Sequence, residues 1–166
     1  MENITIKIPE IKLVGITTRT SNAAEMNPLT AKIATQLQKY FQQHLPGKIA
    51  NRKKPGATYC IYTEYESDYT GEYTYFVGEE VSSFGDLEEG LVALTIPEQT
   101  YIKFTNGPGV MPLVCINVWQ QVWQMEQAGD KMLARNRAYI ADFEVYDERA
   151  IDPQNTILDV YVGIKK

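Results

Sequence analysis

One carboxylate in this sequence stands where it could do chemistry. In the run Phe143-Glu144-Val145-Tyr146, neighbouring side chains point to alternate faces of a strand, so Glu144 and Tyr146 share one face and Phe143 and Val145 the other. A carboxylate partly removed from water is costly unless a cation or hydrogen-bond donors compensate it, so it attracts a positively charged ligand. If apolar surroundings raise its pKa, it can instead act as a general base. Rings to surround it are plentiful: the chain has 11 tyrosines, and Tyr59, Tyr62, Tyr65, Tyr69, Tyr73 and Tyr75 crowd into one stretch. Such a pocket is apolar yet able to hydrogen-bond, and it suits a flat or lipophilic cation through charge pairing and cation–π attraction.

Other reactive groups are scarce. The only histidine, His44, sits at a polar helix end beside Pro46-Gly47, and Cys60 and Cys115 lack the CxxC spacing of a metal site. Neither a metal nor a cofactor is expected, and the cysteines read as small buried apolar side chains. No Ser-His or Cys-His pair presents itself, so Glu144 is the one catalytic candidate if the chain is an enzyme. Two tryptophans add a wall: Cys115, Trp119 and Trp123 recur at i, i+4, i+8 beside the aliphatic stripe Val114, Val118, Val122 and Met125.

The elements that must hold these residues form a recurring order. Residues 11–18 read as a strand, and Asn27-Pro28 opens a helix carrying Leu29, Ile33, Leu37, Tyr40 and Phe41, stopped by Pro46-Gly47. Strands follow at 58–66 and 73–81. After an acidic, glycine-bearing link come an extended 100–105, a helix over 112–127, and strands at 139–147 and 156–164. Pro28-Leu29 is echoed by Pro112-Leu113, and Phe76-Val77-Gly78 by Tyr161-Val162-Gly163. The pattern predicts a single α+β domain over 1–166 made of two β-α-β-β repeats, about 10–82 and 98–166, joined by a linker at 83–97. The simplest arrangement is one antiparallel sheet with two helices on one face and a ligand groove on the other.

The two-residue period then assigns faces. Leu158, Val160, Val162 and Ile164 are expected against the helices, with Tyr161 on the open side. By the same test Phe143 and Val145 go to the helices, and Glu144 and Tyr146 to the open side. Carried through the repeat, Phe76 takes the place of Tyr161, and Tyr62 is the counterpart of Glu144. The expected ligand-binding set is therefore Glu144, Tyr62, Phe76, Trp119, Trp123, Tyr146 and Tyr161.

Composition narrows the partners. With 44% apolar residues in 166, the chain can bury one good core. Sixteen basic against 21 acidic residues give a net charge of −5, and basic residues cluster only at Arg52-Lys53-Lys54, which disfavours direct DNA binding. No segment approaches the ~20 apolar residues of a membrane span and no export signal opens the chain, so a soluble, cytoplasmic protein is expected. The acidic residues Glu79, Glu80 and 86–89 read as a solvated surface, or as one that could meet a protein partner.

On these residues the chain resembles the GyrI-like small-molecule-binding domains, the superfamily of the effector-binding domains of multidrug-sensing transcription activators and of the stand-alone gyrase-inhibitory protein. The resemblance runs from Ile11 to Ile164. It is carried by Asn27-Pro28-Leu29, Tyr59-Cys60-Ile61-Tyr62, Val118-Trp119 with Trp123, Phe143-Glu144-Val145-Tyr146, and Val160-Tyr161-Val162. It implies a groove between the repeats in which Glu144 meets cationic aromatic compounds. Because no helix-turn-helix head is seen in the chain, regulation would work through a partner or by sequestering ligand. The resemblance also implies two alternatives. One is a hydrolase of electrophilic cyclopropane-type toxins, with Glu144 activating water and Trp119 or Trp123 holding substrate; the other is a protein-interaction module like the gyrase inhibitor.

Overall fold

Strand-forming stretches dominate the chain, and eight of them join one antiparallel sheet in the order β1-β6-β8-β7-β3-β4-β2-β5. The computed structural model describes residues 1–130, 133 and 136–165. The strands are β1 (Glu2–Ile8), β2 (Ile11–Ser21), β3 (Thr58–Thr63), β4 (Glu72–Glu80), β5 (Val92–Ile96), β6 (Gln99–Gly109), β7 (Ala141–Tyr146) and β8 (Thr156–Ile164). Helices are α1 (Asn22–Glu25), α2 (Ile33–Gln42) and α3 (Leu113–Gln127). The α+β class and the antiparallel sheet agree with expectation. Two strands were not expected: β1, and β5, which falls within the stretch read as a linker.

The first long helix begins later than the sequence suggests. Asn27 accepts from the Leu29 N–H in a local turn, so it does not open a helix, and Leu29 is 93% exposed. The true start is capped from a distance: the carboxylate of Glu25 accepts from the backbone N–H groups of Lys32 and Ile33, satisfying donors that the first helical turn leaves open. From there Ile33, Leu37 and Tyr40 face the sheet.

The strand order is symmetric about the β7–β3 contact, with β8 matching β4, β6 matching β2, and edge strand β1 matching β5. The register extends this to residues. One row crosses six strands as Phe104, Val160, Glu144, Cys60, Val77 and Ile16, each directly opposite the next. Cys60, rather than Tyr62, is thus the residue opposite Glu144. Directly opposed residues share a face, so all six point the same way. Helix α2 lies over β2 and β4 and α3 over β6 and β8, so the central strands β3 and β7 run beneath the space between the helices.

The other face is not open. Only Pro9 and Glu10 separate β1 from β2, a link that spans at most about 11 Å. Six strand spacings in a flat sheet would place those strands roughly 29 Å apart. The sheet must therefore curl until its ends approach, and Pro97 and Glu98 make the matching link from β5 to β6. The concave interior is filled by Ile11, Leu13, Ile61, Phe76, Ile96, Tyr101 and Phe143, with Ile6 and Ile8 from one end of the sheet and Leu94 from the other. Gly15 and Gly78 lie opposite each other there, and a Cβ on Gly78 would come within 2.6 Å of the Phe76 ring.

The curl overturns the expected faces. Phe143 and Val145 belong to the concave core, whereas Glu144 and Tyr146 face the helices. Apolar residues of β7 were assigned to the helices because that side was taken as the only core; the sheet has a second one on its other face.

Candidate functional site

Glu144 occupies the middle of a row that is otherwise apolar or thiol, and it is only 4% exposed. Three neutral donors meet its carboxylate. The Tyr62 hydroxyl, from β3, donates to Oε2 at 2.7 Å, as does the Trp119 indole Nε1, from α3, also at 2.7 Å. The Tyr146 hydroxyl, two residues along β7, donates to Oε1 at 2.6 Å. Burial, and then the Glu144 charge, pushes the Tyr62 and Tyr146 hydroxyls well above the usual phenol range, so both remain protonated donors.

Rings close the site. Tyr62 stands edge-on to Tyr73, Tyr75 and Trp119, with centroids 5.5, 5.4 and 5.4 Å away. Both thiols are free and belong to this side: Cys60 lies beneath, opposite Glu144, and Cys115 lies against Tyr146. Burial raises both thiols, so neither is an activated nucleophile.

Charge compensation distinguishes Glu144 from the chain's other buried acids. Asp142 takes Arg137 at 2.8 Å, Asp159 takes Arg149 at 2.6 Å, and Glu79 has Arg52 at 3.4 Å. Among the described residues, no cation pairs with Glu144 in this way; two phenols and an indole donate to it, with the Cys115 thiol beside them. Hydrogen bonds to a charged group are worth about 1.5–3 kcal/mol each, which offsets the several kcal/mol needed to desolvate a carboxylate.

A neighbouring latch fixes one side of the site. Asp142, fully buried, accepts from Arg137 Nη2, from the Tyr65 hydroxyl and from the Gly163 N–H. Arg137 also binds Glu126 at the end of α3, at 3.0 Å, and lies 4.4 Å from the centroid of the Tyr139 ring. Strand β7 and the C-terminal end of α3 are thereby tied together.

The seven expected residues divide. Glu144, Tyr62, Tyr146 and Trp119 converge. Phe76 and Tyr161 lie in the concave core on the opposite face, where Tyr161 stacks on Phe143 at 4.6 Å. Trp123 is 39% exposed, and the indole that donates to Glu144 is that of Trp119. Tyr73, Tyr75 and Cys60 were missed as site residues. The two-residue period puts Tyr73 and Tyr75 on one face of β4, but the sequence gives no sign that this is also the face of Glu144.

The Cass2 family, described as integron-associated effector binding protein, matches residues 5–164. The chain belongs to that family. It is a small-molecule effector-binding domain related to transcriptional regulators. YobU of Bacillus subtilis, a transcriptional regulator protein by name, is 27% identical over 156 residues, covering 93% of this chain and 92% of that one. An integron cassette protein from the mobile metagenome of Vibrio cholerae has a similar structure, with a TM-score of 0.76 and 28% identity, covering 98% of this chain and 95% of that one. SAV2435, solved bound to tetraphenylphosphonium, shares the fold of this Cass2-family domain with a TM-score of 0.76 and 16% identity, covering 99% of this chain and 94% of that one. No helix among the described residues is long and apolar enough to cross a membrane.

Proposed function

We propose that this Cass2-family domain binds a lipophilic aromatic cation between its helices, with Glu144 as the anionic anchor and Tyr62, Tyr146 and Trp119 as the walls. The observation that carries the reading is the buried Glu144 carboxylate, held by three neutral donors within a ring of aromatic side chains. A cation entering there finds a charge already stripped of water, and aromatic faces that add cation–π attraction. Tetraphenylphosphonium, the compound bound to SAV2435, has this chemistry. Phe76, Tyr161 and Trp123 are left out of the proposed site. Occupancy would serve transcription regulation through a partner, or sequestration of the compound. The symmetric strand order supports reading the scaffold as two copies of a β-α-β-β unit.

The test is calorimetric titration of the protein with tetraphenylphosphonium and with uncharged triphenylphosphine oxide. The cation should bind at least about tenfold tighter, and Glu144→Gln should remove that preference, a difference of about 1.4 kcal/mol or more. A preference that survives Glu144→Gln would sink the reading. On this reading Glu144 anchors the ligand and does not act on it, so the cation should be recovered unchanged by mass spectrometry.

A further inference from the structure

Beneath α2, the buried hydroxyl of Tyr40 and Oε1 of Glu79 have no hydrogen-bond partner among the described residues. Tyr40 is fully buried and Glu79 is 1% exposed, so Glu79 is not part of the acidic surface that the sequence suggested. Its second oxygen accepts only long bonds, from the Gly56 N–H at 3.3 Å and Arg52 Nη1 at 3.4 Å. Burial raises the Glu79 carboxyl above its ordinary range, against the lowering effect of Gly56 and Arg52. A buried polar group left unpaired is costly, and native interiors hold few of them. Two in one cluster call for a reason.

Their position supplies one. Glu79 follows Val77 by two residues on β4, so it shares the face of Val77, Cys60 and Glu144. Two strand spacings across and two residues along put the Cα atoms of Glu144 and Glu79 roughly 12 Å apart. Tyr40 reaches in from α2 and packs in the same cluster as Cys60 and Val77. The surface from Glu144 to Glu79 thus passes over Cys60, the smallest side chain of the six-residue row.

We infer that Tyr40 and Glu79 are the far pole of the ligand site, and that they take an N–H or O–H donor carried by the ligand about 10 Å from its positive centre. This rests on the reading of Glu144 as the cation anchor. An N–H group there donates to Oε1 of Glu79 and to the Tyr40 oxygen, completing both. Arg52 already pairs with the carboxylate, so the distal group is selected as a donor and need not be charged. The ligand class is an elongated aromatic cation with an amine, amidine or hydroxyl at its far end.

Benzamidine and a bis-benzamidine with a short alkyl diether linker make the test, titrated into wild-type protein, Tyr40→Phe, Glu79→Gln and Glu144→Gln. The bis-amidine should bind at least about tenfold tighter than benzamidine, and Tyr40→Phe and Glu79→Gln should each cut that ratio by about threefold or more. Tyr40→Phe should also leave the melting temperature of the ligand-free protein unchanged or raised, because it removes an unpaired hydroxyl. A ratio unmoved by both variants, or a lowered melting temperature for Tyr40→Phe, overturns the inference. If Glu144→Gln weakens both compounds while the ratio ignores Tyr40 and Glu79, this inference alone fails. If Glu144→Gln affects neither compound, the anchor reading fails with it.

Discussion

Tyr62 and Tyr146 hold Glu144 from its two sides, one hydroxyl on Oε2 at 2.7 Å and the other on Oε1 at 2.6 Å. Each tyrosine lies two residues beyond a member of the central Cys60–Glu144 pair, so equivalent positions on β3 and β7 serve the same carboxylate. Their loads differ, because Oε2 also takes the Trp119 indole. Tyr146→Phe should therefore destabilise the fold more than Tyr62→Phe, by about 1–3 against about 1 kcal/mol. Urea unfolding of both variants checks the order, and equal losses would refute it.

Trp119 touches the anchor and Trp123 faces solvent, which gives a spectroscopic prediction. Tetraphenylphosphonium should quench or shift tryptophan emission in Trp123→Phe as it does in the parent protein, and Trp119→Phe should lose the response. A response that follows Trp123 would place the ligand elsewhere on α3.

The Arg137–Asp142 pair is buried, so breaking it from one side strands a charge. Arg137→Met should cost about 3–5 kcal/mol, and adding Asp142→Asn should recover part of that loss. A double-variant cycle with a coupling near zero would show that the latch contributes little.

Acid behaviour separates two carboxylates of opposite sign. Burial works against Asp147, but the hydrogen bonds and charge of Arg149 hold its pKa below the ordinary value. Its stabilisation is therefore present above about pH 3.9 and is lost as pH falls through the lower folded value. Glu79 is raised by burial, so its contribution is present below the ordinary carboxylate pKa and is lost as pH rises through the folded one. Melting curves should show Asp147→Asn less stable than the parent at pH 7, with the gap closing on acidification below about pH 4. Glu79→Gln should be as stable as the parent or more so at pH 7, and a matching loss in both variants would contradict the assignment.

Much of the scaffold was legible because strands and helices announce themselves by period. The strand at 156–164 matches β8, and the helix over 112–127 differs from α3 by one residue. β1 carried a usable signal in Ile4, Ile6 and Ile8, while β5 is a short edge strand beside an acidic stretch. Period two shows which side chains share a face, but not which face is which. Glu144, Tyr62, Tyr146 and Trp119, grouped by the sequence reading, do converge in the structure. Phe76 and Tyr161 were added because the concave side looked empty, and only the curl, set by the pairing order and two-residue links, reveals that it is filled. The register also escaped the sequence: the echo Phe76-Val77-Gly78 suggests matching Val77 to Val162, whereas the six-residue row sets Val77 against Val160.

The exchanged edge strands govern how the chain must assemble at the ribosome. β1 is made well before its partner β6, which follows about a hundred residues later, as Ile6 facing Tyr101 shows. Until that stretch emerges, Ile4, Ile6 and Ile8 travel as an unpaired sticky edge with Lys7 as their main guard against pairing with a neighbouring chain. Neither half can complete its own sheet, since each edge is supplied by the strand before the other half. The proposed site consequently comes into being only after β7 has been synthesised, and products truncated before it should be adhesive and inert.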